Sequence, residues 1–378
     1  MQVAAPRPLQ GRYDPAFARV AERFAASVAA GEERGALALR IGGREVLSLY
    51  GGAADPATGA PWRADSLACC FSVTKGVFAL LAHVLIDRGV LDPAAPVARY
   101  WPGFAVAGKG AVSVDDVLTH RAGLPAVAQA VPEGVLYDAP AMEAALAASP
   151  PVLAPGAPAY HNMTYGHLLG GLMERAAGAP VAALIASGIA GPLGADFHIG
   201  LSAREAARAV QLTQDDPGAL WRALDEAPHT LFARSMRFFA RGEDFNSARW
   251  RGAVIGSGSG HVTAAAIARI YEQFVMAGGL LSLERRTALA EERWRSEVPD
   301  PVLGIPIRMA QGLELSSPPA LDFGPSPSAL GYWGAGGAQG FADPDTGLAF
   351  GYVTGRMDPA MGSSPRARAL VAACHACL

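Results

Sequence analysis

Strand-like segments stand at both ends of this chain and helix-like segments fill its middle, an order that leaves few ways to fold. Near the start, residues 36–41 and 45–50 are short apolar runs separated by Gly42-Gly43, a composition suited to a tight hairpin turn. Near the end, residues 307–315, 339–342 and 348–353 read as strands with glycine-rich turns between them. A helix over residues 15–30, stopped by Gly31, and another over 365–376 would cover the sheet. The expectation is an α+β fold: one antiparallel sheet built from both chain ends and flanked by helices, with an inserted, mostly helical domain. The sheet part would span about 1–68 and 290–378, the helical part about 69–289, and residues 1–378 would form a single unit.

The chain has 378 residues, 51% of them hydrophobic, ample for a sizeable core. A net charge of -3 with both signs interspersed offers no basic stripe, so nucleic acid is not an expected partner and small or uncharged molecules are. Residues 1–8 carry no apolar run behind a basic start, and no stretch approaches the roughly 20 apolar residues of a spanning helix. Neither a signal peptide nor a membrane anchor is expected, and the cytoplasm is the expected compartment. Cys69-Cys70 reads as buried filler. Cys374-His375-Ala376-Cys377 has C-x-x-C spacing but no second pair at zinc-site spacing, so no metal and no cofactor are expected.

The chemistry gathers at Ser72-Val73-Thr74-Lys75, which leads into an apolar helical run over 77–86. Ser72 would serve as N-cap or open the first turn, and Lys75, at i+3, would share its face. A serine hydroxyl becomes a nucleophile when a neighbouring base takes its proton, and a lysine can be that base if burial lowers its pKa. Lysine is scarce: Lys75 and Lys109 are the only two. Tyr160-His161-Asn162 adds a phenol able to relay a proton beside a lysine, and Asn162 is one of only two asparagines. Ser113-Val114-Asp115-Asp116 has the form of a capping box, opening a helix that ends near His120. His120 reads as a residue that fixes a loop rather than as a base. Residues 256–260, Gly-Ser-Gly-Ser-Gly, read as a flexible loop, and their centre is not the serine of a G-x-S-x-G elbow.

Phe71-Ser72-Val73-Thr74-Lys75-Gly76, the run Val117-Leu118-Thr119-His120-Arg121-Ala122-Gly123-Leu124-Pro125, Tyr160-His161-Asn162 and the segment from Gly334 to Pro344 together resemble the serine β-lactamase and penicillin-binding protein superfamily. The nearer likeness is to its class C-like branch, closest to the family VIII carboxylesterases. That resemblance implies a β-lactamase/transpeptidase-like catalytic unit with Ser72 as acylated nucleophile and Lys75 and Tyr160 sharing acid and base work. It further implies that Asn162 orients Lys75 or the substrate carbonyl, and that the N–H groups of Ser72 and Ala335 form the oxyanion hole. At the third motif this chain has Tyr332-Trp333-Gly334; shifted by one residue, Trp333 would hold the first position and Gly336 would compete with Ala335 as donor. Neither register supplies a cation for a substrate carboxylate, which favours small uncharged esters. The alternatives are an acyltransferase, a weak β-lactamase or D-amino-acid peptidase on the same site, and a non-catalytic binding module.

Overall fold

The computed structural model describes residues 9–378; the expectation for residues 1–8 falls outside them. The main sheet has nine strands, which we number β1 (Gln10–Tyr13), β2 (Gly35–Ile41), β3 (Arg44–Gly51), β4 (Trp294–Arg295), β5 (Arg308–Met309), β6 (Glu314–Leu315), β7 (Leu330–Trp333), β8 (Gln339–Ala342) and β9 (Leu348–Thr354). Their spatial order is β1-β3-β2-β9-β8-β7-β6-β5-β4, antiparallel throughout. The two chain ends meet where β2 pairs with β9, from Gly35 opposite Thr354 to Ile41 opposite Leu348. The β2–β3 hairpin turns on Gly42 and Gly43, with φ of 56° and 84°, the two left-handed positions that match a turn to the strand twist.

The helices that position the site are α1 (Ala18–Ala29), α2 (Val73–Asp87), α3 (Val114–Leu118), α4 (Thr164–Ala177), α5 (Ala264–Tyr271) and α6 (Pro365–His375). Alternation along β2 divides the core between them. Leu37 and Leu39 join Phe341 and Phe350 under α1 and α6, whereas Ala36 and Ala38 face the cluster that holds Ile267 and Ile270 of α5. Helix α5 packs on β2 and β9, so this part of the 69–289 stretch lies on the sheet itself. Helix α2 is buried from Val73 through Leu85, apolar on every side, and runs as a spine between the sheet and α4. Each of its fully buried large side chains contributes on the order of 2 kcal/mol.

Two expectations need correction. Residues 307–315 are not one strand: Gly312, at φ 88°, reverses the chain, and β5 and β6 pair as a hairpin through Met309 opposite Glu314. Residues 256–260 are not a flexible loop but a buried wall, in which a Cβ on Gly256 would lie 2.3 Å from the Phe78 ring. The capping box follows the sequence closely. Ser113 Oγ accepts from the Asp116 N–H at 3.0 Å, and Asp116 Oδ2 accepts from the Ser113 N–H at 2.9 Å, closing the capping box. All four cysteines are free, and among the described residues no group of three or more His, Cys, Asp or Glu side chains forms a metal site. No single described helix is long and apolar enough to cross a membrane.

Candidate active site

Ser72 sits at the N-cap position of α2, yet its side chain caps no backbone group. The hydroxyl is left free for other work, and Lys75 Nζ donates to it at 2.9 Å. The residue before it, Phe71, has φ 44°, a conformation that costs a non-glycine residue on the order of 1–3 kcal/mol. Edge-to-face packing on Phe245, with centroids 5.1 Å apart, and contact with Trp250 hold it there. The result is a sharp turn that leaves Ser72 partly accessible between buried neighbours.

Lys75 is fully buried, and besides Ser72 its ammonium donates to the Ser257 carbonyl at 3.0 Å. Ser257 is in turn locked: its hydroxyl donates to the Met163 carbonyl at 2.8 Å and accepts from the Gly166 N–H at 2.7 Å. Burial lowers the Lys75 pKa to about 7, with the Glu314 carboxylate opposing that shift. The other lysine, Lys109, is buried far from this chemistry and donates to the carbonyls of Val106, Ala147 and Ser149.

Tyr160 brings its ring to 4.9 Å from Lys75 Nζ. Its hydroxyl forms no hydrogen bond, and burial raises its pKa well above 10, with Glu314 adding to the rise and the nearby Ser72 hydroxyl opposing it. Its position is fixed from two sides. Asp300 Oδ2 accepts from the Tyr160 N–H at 2.9 Å, and the His120 ring stacks on the phenol at 4.7 Å between centroids. On its other side His120 stacks on Tyr165 at 4.6 Å. His120 Nδ1 accepts from the His161 N–H at 2.9 Å, which leaves the proton on Nε2 to donate to Tyr332 Oη at 3.2 Å. With both nitrogens hydrogen-bonded and both faces stacked, His120 braces Tyr160, and burial keeps its imidazole neutral.

The remaining expected residues are less uniform. Asn162 does not reach Lys75: its Nδ2 donates to Met236 Sδ at 3.1 Å, and it lies half-buried beside the site. Tyr332 is fully buried behind His120 and offers no surface to a substrate, whereas Trp333 keeps a sliver of exposure. Gly334 follows β7 directly and lies against the Ser72 turn, where a Cβ would stand 2.3 Å from the Cys70 carbonyl oxygen. Ala335 follows in an exposed turn, and neither its N–H nor that of Ser72 donates to an acceptor among the described residues. Three participants escaped the sequence reading: Ser257, Asp300 and Glu314. Glu314 had a signal, an acid inside the apolar run Gly312-Leu313-Glu314-Leu315; Asp300 had none.

A buried amine held against a free serine hydroxyl, with a neutral phenol alongside and unengaged N–H groups nearby, defines the class of Ser-x-x-Lys serine hydrolases. The chain belongs to the β-lactamase family, whose model matches residues 20–374. It is 34% identical over 370 residues to Esterase/beta-lactamase LipL of Mycobacterium tuberculosis, covering 92% of this chain and 83% of that one. Among solved structures it is similar to a penicillin-binding protein homologue from Caulobacter crescentus, with a TM-score of 0.88 and 34% identity over 98% of this chain and 100% of the other. It is also similar to a family VIII carboxylesterase, with a TM-score of 0.85 and 34% identity at the same coverage of each chain.

Proposed function

We propose that this protein is a carboxylesterase-type serine hydrolase that cleaves small uncharged carboxylic esters through an acyl-Ser72 intermediate. The observation that carries the reading is the 2.9 Å contact between Lys75 Nζ and Ser72 Oγ, made by an amine whose burial brings its pKa to about 7. The free amine takes the Ser72 proton as Oγ attacks the ester carbonyl, and the backbone N–H groups of Ser72 and Ala335 receive the developing oxyanion. Collapse of the tetrahedral intermediate breaks the C–O bond to the alcohol. Tyr160, held as a neutral phenol, passes a proton to that departing oxygen and regains one from the Lys75 ammonium. Water then attacks the acyl carbon, and its proton follows the same route to restore Ser72.

The substrate class follows from charge. Lys75 is committed to Ser72 and Ser257, His120 is neutral, and the aromatic pair of the third motif brings no cation, so none of these groups is left to pair with a substrate carboxylate. Losing such a charge-assisted bond costs about 1.5–3 kcal/mol. A second reading, slow β-lactam opening on the same site, is favoured by the double name of the mycobacterial relative. The test is kcat/KM for p-nitrophenyl butyrate against nitrocefin, with Ser72→Ala as the control. The ester is expected to win by several decades and Ser72→Ala to be inert to both; equal rates would reverse the assignment, and an active Ser72→Ala would remove the nucleophile.

A further inference from the structure

Tyr160 carries a proton in the mechanism proposed above, yet its hydroxyl has no hydrogen-bond partner, so no polar contact fixes the end of the ring that reacts. The phenol is placed instead by what holds its ring and its backbone. His120 stacks on the ring and also takes the N–H groups on either side of Tyr160: Ala159 donates to the His120 carbonyl at 3.1 Å and His161 to Nδ1 at 2.9 Å. The N–H between them goes to a different residue, Asp300, whose Oδ2 accepts it at 2.9 Å.

Asp300 stands in the loop between β4 and β5 and is only 2% exposed. Its second oxygen, Oδ1, accepts from the N–H groups of Val302 and Leu303, both at 2.9 Å. The loop is closed on itself: the Asp300 N–H donates to the Ile305 carbonyl at 2.9 Å and the Gly304 N–H to the Asp300 carbonyl at 2.8 Å. Val302 and Leu303 are buried in the larger core cluster, which makes the loop a firm support. All three partners of the carboxyl group are backbone donors, so both of its oxygens must accept, as an ionised carboxylate does.

We propose that Asp300 is a positioning residue that acts through Tyr160, its carboxylate fixing the backbone from which the phenol reaches the departing alcohol. This rests on the proton-transfer role given to Tyr160 above. Without that anchor the middle of the 159–161 segment is free to shift, and misplacing a reacting group by about 1 Å costs about 10²-fold in rate. Asparagine has the shape of aspartate but only one acceptor oxygen. The Val302 and Leu303 N–H groups together claim that oxygen, which leaves the amide NH2 facing the Tyr160 N–H, donor against donor.

The test is Asp300→Asn with two butyrate esters that differ in what leaves. Nitrophenolate departs without a proton and ethoxide does not, so only the alkyl ester calls on the Tyr160 phenol in acylation, the stage that kcat/KM reports. Asp300→Asn is expected to lower kcat/KM for ethyl butyrate by about 10²-fold and that for p-nitrophenyl butyrate by less than about threefold. A residue that only held the fold would lower both alike, and equal losses, or none, overturn the proposal. In a Tyr160→Phe background the same substitution should leave kcat/KM for ethyl butyrate within about threefold, because the group it positions is already gone. An undiminished loss there also overturns it. Should Asp300→Asn yield too little folded protein, Asp300→Glu carries the same comparison: it keeps both acceptors but displaces them by a methylene, and the loss must again fall on the alkyl ester and vanish with Tyr160. A Tyr160→Phe enzyme as fast as wild type on ethyl butyrate would instead defeat the underlying reading, so the two failures are distinguishable.

Discussion

Replacing Gly334 by alanine isolates what the close approach of β7 to the Ser72 turn does for the site. Gly334 does not have a positive φ, so a Cβ brings no backbone strain; its only offence is steric. That Cβ would stand 2.3 Å from the Cys70 carbonyl oxygen, a backbone atom that cannot swing aside. Ordinary contact begins near about 3.5 Å, so the strand end and the turn must separate by about 1 Å. The displaced segment carries the Ala335 N–H, proposed above as an oxyanion donor, and a 1 Å error in such a group costs about 10²-fold in rate. Gly334→Ala should therefore lower kcat on p-nitrophenyl butyrate by about 10²-fold with KM little changed, and lower stability by only about 1–3 kcal/mol. Gly110→Ala, where the nearest atom to a new Cβ is 3.7 Å away, is the matched control and should behave as wild type. A folded Gly334→Ala protein with kcat within about threefold of wild type would show that the apposition of strand and turn does not set the oxyanion geometry.

Lys75→Ala and Tyr160→Phe should each cost about 10²–10⁴ in kcat, and the double variant much less than their product, because one proton passes through both; strictly multiplicative losses in steady-state kinetics would separate their roles. Trp333→Lys should narrow the preference for p-nitrophenyl butyrate over nitrocefin, since it restores a cation at the strand end, whereas Tyr332→Lys should simply destabilise the fold, its side chain being buried behind His120. Stability should fall as pH drops from about 6.5 to 4: burial depresses His161, His167 and His261 to about 4 and His83 to about 3, so the unfolded chain binds protons that the native one refuses. Each adds up to about 1.4 kcal/mol per pH unit, and a urea midpoint unchanged across that window would contradict their burial as neutral rings.

What was legible in the sequence was local. The hairpin at Gly42-Gly43, the capping box at Ser113 and the Ser72–Lys75 spacing each depend on residues within a few positions of one another. The composition of residues 256–260 misled because glycine and serine fill flexible linkers and tight packing alike; only the partner, Phe78, distinguishes the two, and it is far away in sequence. The same holds for the lock of Ser257 on Met163, for Asp300 on the Tyr160 backbone, and for His120 between two tyrosines. Residues 307–315 alternate apolar and polar side chains as a strand does on either side of Gly312, and the reversal depends on that glycine's left-handed conformation, which composition does not reveal.

The seam between β2 and β9 sets a schedule for the making of the enzyme. The helix that carries Ser72 leaves the ribosome early, but β7, which must abut the Ser72 turn, and β9, which must complete the first hairpin into a sheet, are translated near the end. Pairing segments so distant in sequence is slow, and until it happens the side of α2 that packs on β7 and the edge of β2 that pairs with β9 stay uncovered. A nascent chain therefore holds the proposed nucleophile without the proposed oxyanion site. Hydrolytic competence arrives only with the last strands, and a ribosome that stalls before β9 releases a chain suited to chaperones or proteases rather than a partly active hydrolase.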